Sequence, residues 1–83
     1  MTDTTATTVA TVTAIWEATL GVDGIAPDEN FLDLGGDSMT ATKVIAALHR
    51  EYALEAPMRL IFDHPTVAEL AEAVDELRAG VSR

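Results

Sequence analysis

The 83-residue chain contains no cysteine. A chain this short buries only about 60% of the surface its unfolded form exposes. Natural domains below roughly 80 residues often compensate with disulfides or a structural metal. Without a thiol, disulfides and thiolate zinc sites are both closed to it, and two histidines give a metal site little support. Cohesion must come from apolar packing. Hydrophobic residues make up 48% of the chain, and only Trp16, Phe31, Tyr52 and Phe62 are aromatic. The remaining core is Leu, Val, Ile and Ala, a set that suits packed helices.

The apolar residues recur at helical intervals. Val9, Val12, Trp16 and Leu20, with Ile15 beside them, predict a first helix over 8–20 that Gly21 can cap. Residues 21–36, GVDGIAPDENFLDLGG, form a long connection. Loops beyond about 12–15 residues in a small domain are usually functional or disordered, and Ile25, Phe31, Leu32 and Leu34 can pin this one to the core. Asp37 or Ser38 then caps a second helix over 38–52, whose apolar face is Ala41, Val44, Ile45, Leu48 and Tyr52. Leu54 to Pro57 breaks it. Residues 58–63, MRLIFD, suit one or two turns, stopped at His64-Pro65 because a residue before proline resists the helical conformation. Thr66 and Glu69 match a capping box that opens a last helix with Val67, Leu70, Ala71, Val74 and Leu77 on one face, Arg78 in its final turn and Gly80 at its end. Nothing reads as a strand or a repeat. The expected fold is all-α: a small four-helix bundle of three main helices and one short one, with a long loop between the first two. The expected domain is 8–79, with flexible ends at 1–7 and 80–83.

Fourteen acidic against five basic residues give a net charge of −9. The first base is Lys43; Asp3, Glu17, Asp23, Asp28, Glu29, Asp33 and Asp37 all precede it. Such a surface repels nucleic acid and anionic membranes and steers a basic protein partner inward. The plainer alternative is that the acids keep a small domain dissolved. No apolar run approaches the ~18 residues needed to span a bilayer. The opening MTDTTATT lacks the charged and apolar regions of a secretory signal. A cytoplasmic monomer is expected.

The densest chemical signal is Asp33-Leu34-Gly35-Gly36-Asp37-Ser38-Met39. Two glycines permit a sharp turn free of side-chain bulk. Ser38 follows at the first turn of a helix, where its hydroxyl is expected at the surface and a phosphate attached to it would meet the positive end of the dipole. A serine there also serves simply as a cap. A self-activated nucleophile needs a base within hydrogen-bond reach. His49 lies eleven residues along the same helix, roughly 16 Å away at about 1.5 Å per residue, and His64 belongs to the turn before the last helix. Gly36-Asp37-Ser38-Met39 resembles the start of the GDSL hydrolase pattern, but those enzymes need a sheet, and GDSMT does not match the nucleophile elbow G-x-S-x-G. Asp28, Asp33 and Asp37 are spaced too widely for a calcium loop, and no Gly-Lys-Ser/Thr follows the glycines as a phosphate-binding loop requires. No catalytic and no metal-binding residue is assigned.

With these residues in place, the chain resembles the acyl and peptidyl carrier proteins, and among them the thiolation domain of nonribosomal peptide assembly. FLDLGGDSM, residues 31–39, is similar to that family's signature around its modified serine. Arg59-Leu60-Ile61-Phe62-Asp63-His64-Pro65-Thr66-Val67 is similar to a later motif, and Trp16 to an aromatic of the first helix. The likeness spans residues 8 to about 78. It implies that Ser38 receives 4′-phosphopantetheine from coenzyme A through a separate phosphopantetheinyl transferase, with Leu34, Gly35, Gly36, Asp37 and Met39 as the surrounding motif. It also implies a carrier without catalysis of its own, which presents a thioester to an adenylating ligase and to condensation, tailoring or thioesterase enzymes. The partner surface is expected to comprise Met39, Thr40, Lys43, Ile61 and Phe62, with Phe62 buried and Ile61 partly exposed. Lys43 departs from the all-acidic second helix typical of fatty-acid carriers. The Leu-Gly-Gly-Asp-Ser form resembles peptidyl carriers more than fatty-acid ones, and the chain's extent resembles a free-standing carrier. Two alternatives stand beside this reading: a polyketide or other acyl carrier, and an unmodified acidic helical interaction module in which Ser38 is only a cap.

Overall fold

The computed structural model describes residues 4–81, and the side chains of residues 7–79. The chain folds as α1 (Thr4–Leu20), α2 (Ser38–Tyr52), α3 (Arg59–Asp63) and α4 (Val67–Val81). Among the described residues the only β-type pairing is an isolated antiparallel bridge between Asn30 and Thr66. This is the expected helical bundle. α1 packs chiefly against α4 and next against α2.

The ends depart from expectation. α1 starts at Thr4, ahead of the first apolar repeat. Thr8 explains why the early turns hold: it is buried, and its Oγ1 donates a 2.6 Å hydrogen bond to Asp75 Oδ1 on α4. α4 likewise continues through Gly80 to Val81, so Gly80 does not end it. Of the ends expected to be flexible, residues 4–7 and 80–81 are therefore helical, and residues 1–3 and 82–83 lie outside the described residues.

Val12, Trp16, Phe31, Val44, Leu48, Ile61, Leu70 and Val74 are fully buried. Trp16 is the largest of them, and Phe31 meets it edge to face with ring centroids 5.0 Å apart at 64°, a favoured aromatic geometry. Its indole N–H has no partner among the described residues. On α4 the buried face broadens toward Ala73, and Leu77, one turn past Val74, is exposed. The Arg78 guanidinium stacks 4.4 Å from the Tyr52 ring centroid and joins the far ends of α4 and α2.

The long first connection is ordered by its own hydrogen bonds. Gly21 adopts the left-handed conformation (φ +72°) that ends α1. Glu17 Oε2 accepts from the Gly24 and Ile25 N–H groups (2.8 and 3.2 Å), and Glu29 Oε1 from Ala26 N–H (2.7 Å). The loop is then fastened to the start of α4: Phe31 N–H donates to Pro65 O (2.7 Å) and Ala68 N–H to Pro27 O (3.0 Å). Ile25 and Phe31 are buried, as their apolar character requires, whereas Leu32 is 55% exposed rather than pinned. Phe31 and Leu34, three apart in a tight turn, point inward, which leaves Leu32 outside.

Candidate functional site

The turn before α2 is built from two glycines with different tasks. Gly35 has φ +95°, a left-handed conformation that side chains rarely adopt, and a Cβ there would meet nothing within 4 Å. Gly36 is limited by space instead. A Cβ on it would collide with the Phe31 ring, reaching 2.7 Å from Cζ with two further ring carbons nearer still. Phe31 is held in turn by Trp16 on one side and by Phe62 on the other, 6.4 Å between centroids at 80°. The path of the backbone into Ser38 is thus moulded on the core.

Asp37, not Ser38, is the cap of α2. Its carboxylate accepts from Thr40 N–H (2.9 Å), and Thr40 Oγ1 accepts from Asp37 N–H (2.8 Å), so both halves of a capping box are present. The hydrogen bond from the Thr40 backbone, then that from its hydroxyl, with smaller help from Met39 N–H and Lys43, holds the Asp37 carboxyl below the usual range. The division of labour leaves Ser38 free. Its side chain is exposed, and its hydroxyl has no hydrogen-bond partner among the described residues; only its carbonyl is engaged, by Thr42 Oγ1 at 2.9 Å.

Exposed apolar side chains form a rim on the loop, on α2 and at α3, the elements tied to the turn at Ser38 through Thr42 and Phe31. Met39 is 71% exposed, Met58 40% and Phe62 38%, and Leu32 contributes from the loop. Thr42 Oγ1 lies 3.3 Å from the Met58 thioether and links the first turns of α2 to the start of α3. Two expectations for this surface need correction. Ile61 is fully buried and Phe62 half-exposed, the reverse of the assignment from sequence. In a five-residue helix one residue can face the core squarely, and Ile61 does so; Phe62 keeps only one ring edge against Phe31. Ile61 therefore offers a partner no surface. The Thr40 hydroxyl is committed to the cap. Lys43 is exposed but lines the groove between α1 and α2. Sequence reasoning misses Leu32 and Met58 as members of the rim. The inward pair Phe31 and Leu34 is the available sign for Leu32, and the position of Met58 just ahead of a one-turn helix is the sign for the other.

No group of three potential metal ligands occurs among the described residues. His49 sits in the last turn of α2, at the opposite end from Ser38, and His64 is the C-cap of α3.

Residues 10–74 match the family described as Phosphopantetheine attachment site. The chain belongs to that family. Among curated relatives, tyrocidine synthase 3 from Brevibacillus parabrevis is 41% identical over 71 residues, 86% of this chain and 1% of that protein. Bacitracin synthase 3 from Bacillus licheniformis is 35% identical over 65 residues, 78% of this chain and again 1% of that protein. The chain thus spans about one hundredth of the length of these curated relatives. The carrier chain in a structure of the phosphopantetheine transferase Sfp with coenzyme A and a peptidyl carrier protein superposes with a TM-score of 0.80 at 39% identity, covering 83% of this chain and 90% of that one. A free-standing peptidyl carrier protein from Acinetobacter baumannii superposes at 0.82 with 30% identity, covering 87% and 92%. The residues of the turn fit the family's prosthetic group: the hydroxyl at 38 is open, the preceding glycines raise no side chain beside it, and it stands at the positive end of the α2 dipole.

Proposed function

We infer that the protein is a peptidyl carrier in nonribosomal peptide synthesis and that Ser38 is its attachment residue. One observation carries the assignment of the residue: in a phosphopantetheine-attachment chain, the hydroxyl at the first turn of α2 is exposed and unengaged because Asp37 has taken over the cap. Ser38 Oγ attacks the phosphorus of coenzyme A that bears the pantetheine, the phosphoanhydride bond breaks, adenosine bisphosphate leaves, and the serine proton passes to the transferase. The attached arm supplies a terminal thiol on which an aminoacyl or peptidyl group travels as a thioester. Tyrocidine and bacitracin synthases among the relatives favour the peptidyl over the polyketide type.

The chain's own contribution is presentation. Gly36 and Phe31 fix the base of the tether, and Asp37 and Thr40 hold the helix that bears it. Leu32, Met39, Met58 and Phe62 offer the transferase, the adenylating ligase and later enzymes an apolar rim. Methionines suit a surface that meets several partners, because their side chains repack cheaply. The protein performs no catalysis of its own in this reading: among the described residues no base is hydrogen-bonded to the serine hydroxyl, the Asp37 carboxylate is engaged on Thr40, and His49 is roughly 16 Å along the helix at about 1.5 Å per residue. A cytoplasmic setting, where coenzyme A serves as donor, belongs to the same proposal; no helix among the described residues is long and apolar enough to cross a membrane. Incubation with coenzyme A and a promiscuous phosphopantetheinyl transferase, read by intact mass, is expected to add one phosphopantetheine to the wild type and none to Ser38→Ala. No gain with demonstrably active transferase rejects the assignment.

A further inference from the structure

A second surface lies away from the tether. Between α1 and α2 runs an open groove of about 560 Å³ whose floor is Ile15, Ala18, Ala46 and Ala47. Ala18 and Ala46 are exposed, and their small side chains leave room for another backbone to come close. Lys43 and Arg50 edge the groove from α2. They are seven residues apart, so they share a face about 10 Å apart along the axis. Fourteen acids are present, yet neither cation forms an ion pair among the described residues, Lys43 acting only at longer range on Asp37. Arg78, by comparison, is engaged on Tyr52. Glu51, next to Arg50 in the chain, also lines the groove.

We propose that this α1–α2 groove, lined by alanines and edged by Lys43 and Arg50, docks an acidic amphipathic helix of a partner protein. Charge complementarity selects the occupant. Two adjacent cations on a chain of net charge −9 form a local inversion of sign, which draws an acidic segment to this face and repels it from the rest. A second copy of this chain is disfavoured by the same overall charge. The order of the rim, cation, cation, then Glu51, sets the direction: the occupant presents acids two turns apart to Lys43 and Arg50, a basic or neutral residue to Glu51, and small apolar residues to the alanine floor. The surface does not depend on modification of Ser38.

The test uses the full chain, labelled for NMR, and a synthetic alanine-rich helical peptide with two glutamates seven residues apart and a lysine beside the second. Shift changes are expected at Ile15, Ala18, Ala46 and Arg50. They should weaken about tenfold in Arg50→Glu and weaken with added salt. Binding to Arg50→Glu should recover in part when the peptide glutamate that faces residue 50 is exchanged for lysine. Ala46→Trp, which fills the floor, is expected to abolish the shifts, with retained helicity checked by circular dichroism. Arg50→Glu is expected to accept phosphopantetheine at the wild-type rate, and Ser38→Ala to bind the peptide as the wild type does, so the docking proposal and the attachment assignment fail separately. Shifts centred on Met39 and Phe62, shifts indifferent to Arg50→Glu, or no shifts at millimolar peptide overturn the proposal. So does a concentration-dependent rise in mass without peptide, which assigns the groove to a second copy.

Discussion

The seam between α1 and α4 and the turn that leads into α2 are both rich in apolar residues but use them oppositely. Along the seam the large apolar residues turn inward as far as Val74: Val12, Trp16, Leu70 and Val74 are fully buried, and even the polar Thr8 is spent on Asp75. At the turn only Phe31 is buried, while Leu32 and Met39 stand in water. The contrast separates the part of the molecule that holds the fold from the surface proposed for recognition. Phe31 is the one side chain that belongs to both, since it touches Trp16, Phe62 and the space above Gly36.

The strongest way to break this division is Trp16→Ala, expected to cost about 3–5 kcal/mol as a buried aromatic truncation, which chemical denaturation measures directly. A loss within error would mean that the seam does not hold the fold. Gly36→Ala is expected to cost about 1–3 kcal/mol, as overpacking does. Because the collision is with one ring, combining it with Phe31→Leu should cost less than the sum of the two changes; strict additivity in that cycle would show that the ring is not what limits residue 36.

Acid sharpens the comparison at smaller amplitude. The folded Asp37 carboxyl is held below its ordinary value by the Thr40 bonds. Its contribution is thus complete above the unfolded carboxylate pKa and lost as pH falls through the lower folded value. Helicity followed by circular dichroism below about pH 4 should decline more steeply for the wild type than for Asp37→Asn, and equal slopes would show that the carboxylate does not hold the cap. The smallest expected effect on stability is that of Met39→Glu, an exposed position, where the melt should be unchanged while loading by the cognate ligase slows. Loading at the wild-type rate would take Met39 out of the partner surface.

Much of this is legible in the chain. Helical spacing locates α2, and one half of the Thr66–Glu69 box is present, Glu69 N–H donating to Thr66 Oγ1 at 3.2 Å, while the Thr66 hydroxyl rather than its backbone N–H donates to Glu69 Oε1 at 3.1 Å. What spacing cannot deliver is direction within very short elements. A single turn has no periodicity to average over, so spacing exchanges Ile61 and Phe62 and makes Leu32 an anchor. Helix ends escape it for a related reason. Thr4–Thr7 carry little apolar mark, and the neighbouring turn is tied down by a bond from Thr8 to a residue 67 positions away, which spacing cannot foresee. Residue type alone leaves the choice between Asp37 and Ser38 as cap open, because both side chains can do it.

The fastening of the first loop to the start of α4 has a consequence for how this domain can be altered. With Phe31 N–H on Pro65 O and Ala68 N–H on Pro27 O, the segment is a wall of the bundle rather than slack between two helices. Trimming it would uncover the indole and unseat the helix that begins at Val67, whereas a spacer added at Asp23 would leave both clasps closed and the Glu17 bonds to Gly24 and Ile25 in place. Evolution and engineering alike are therefore free to lengthen this stretch at its entrance and not at its exit.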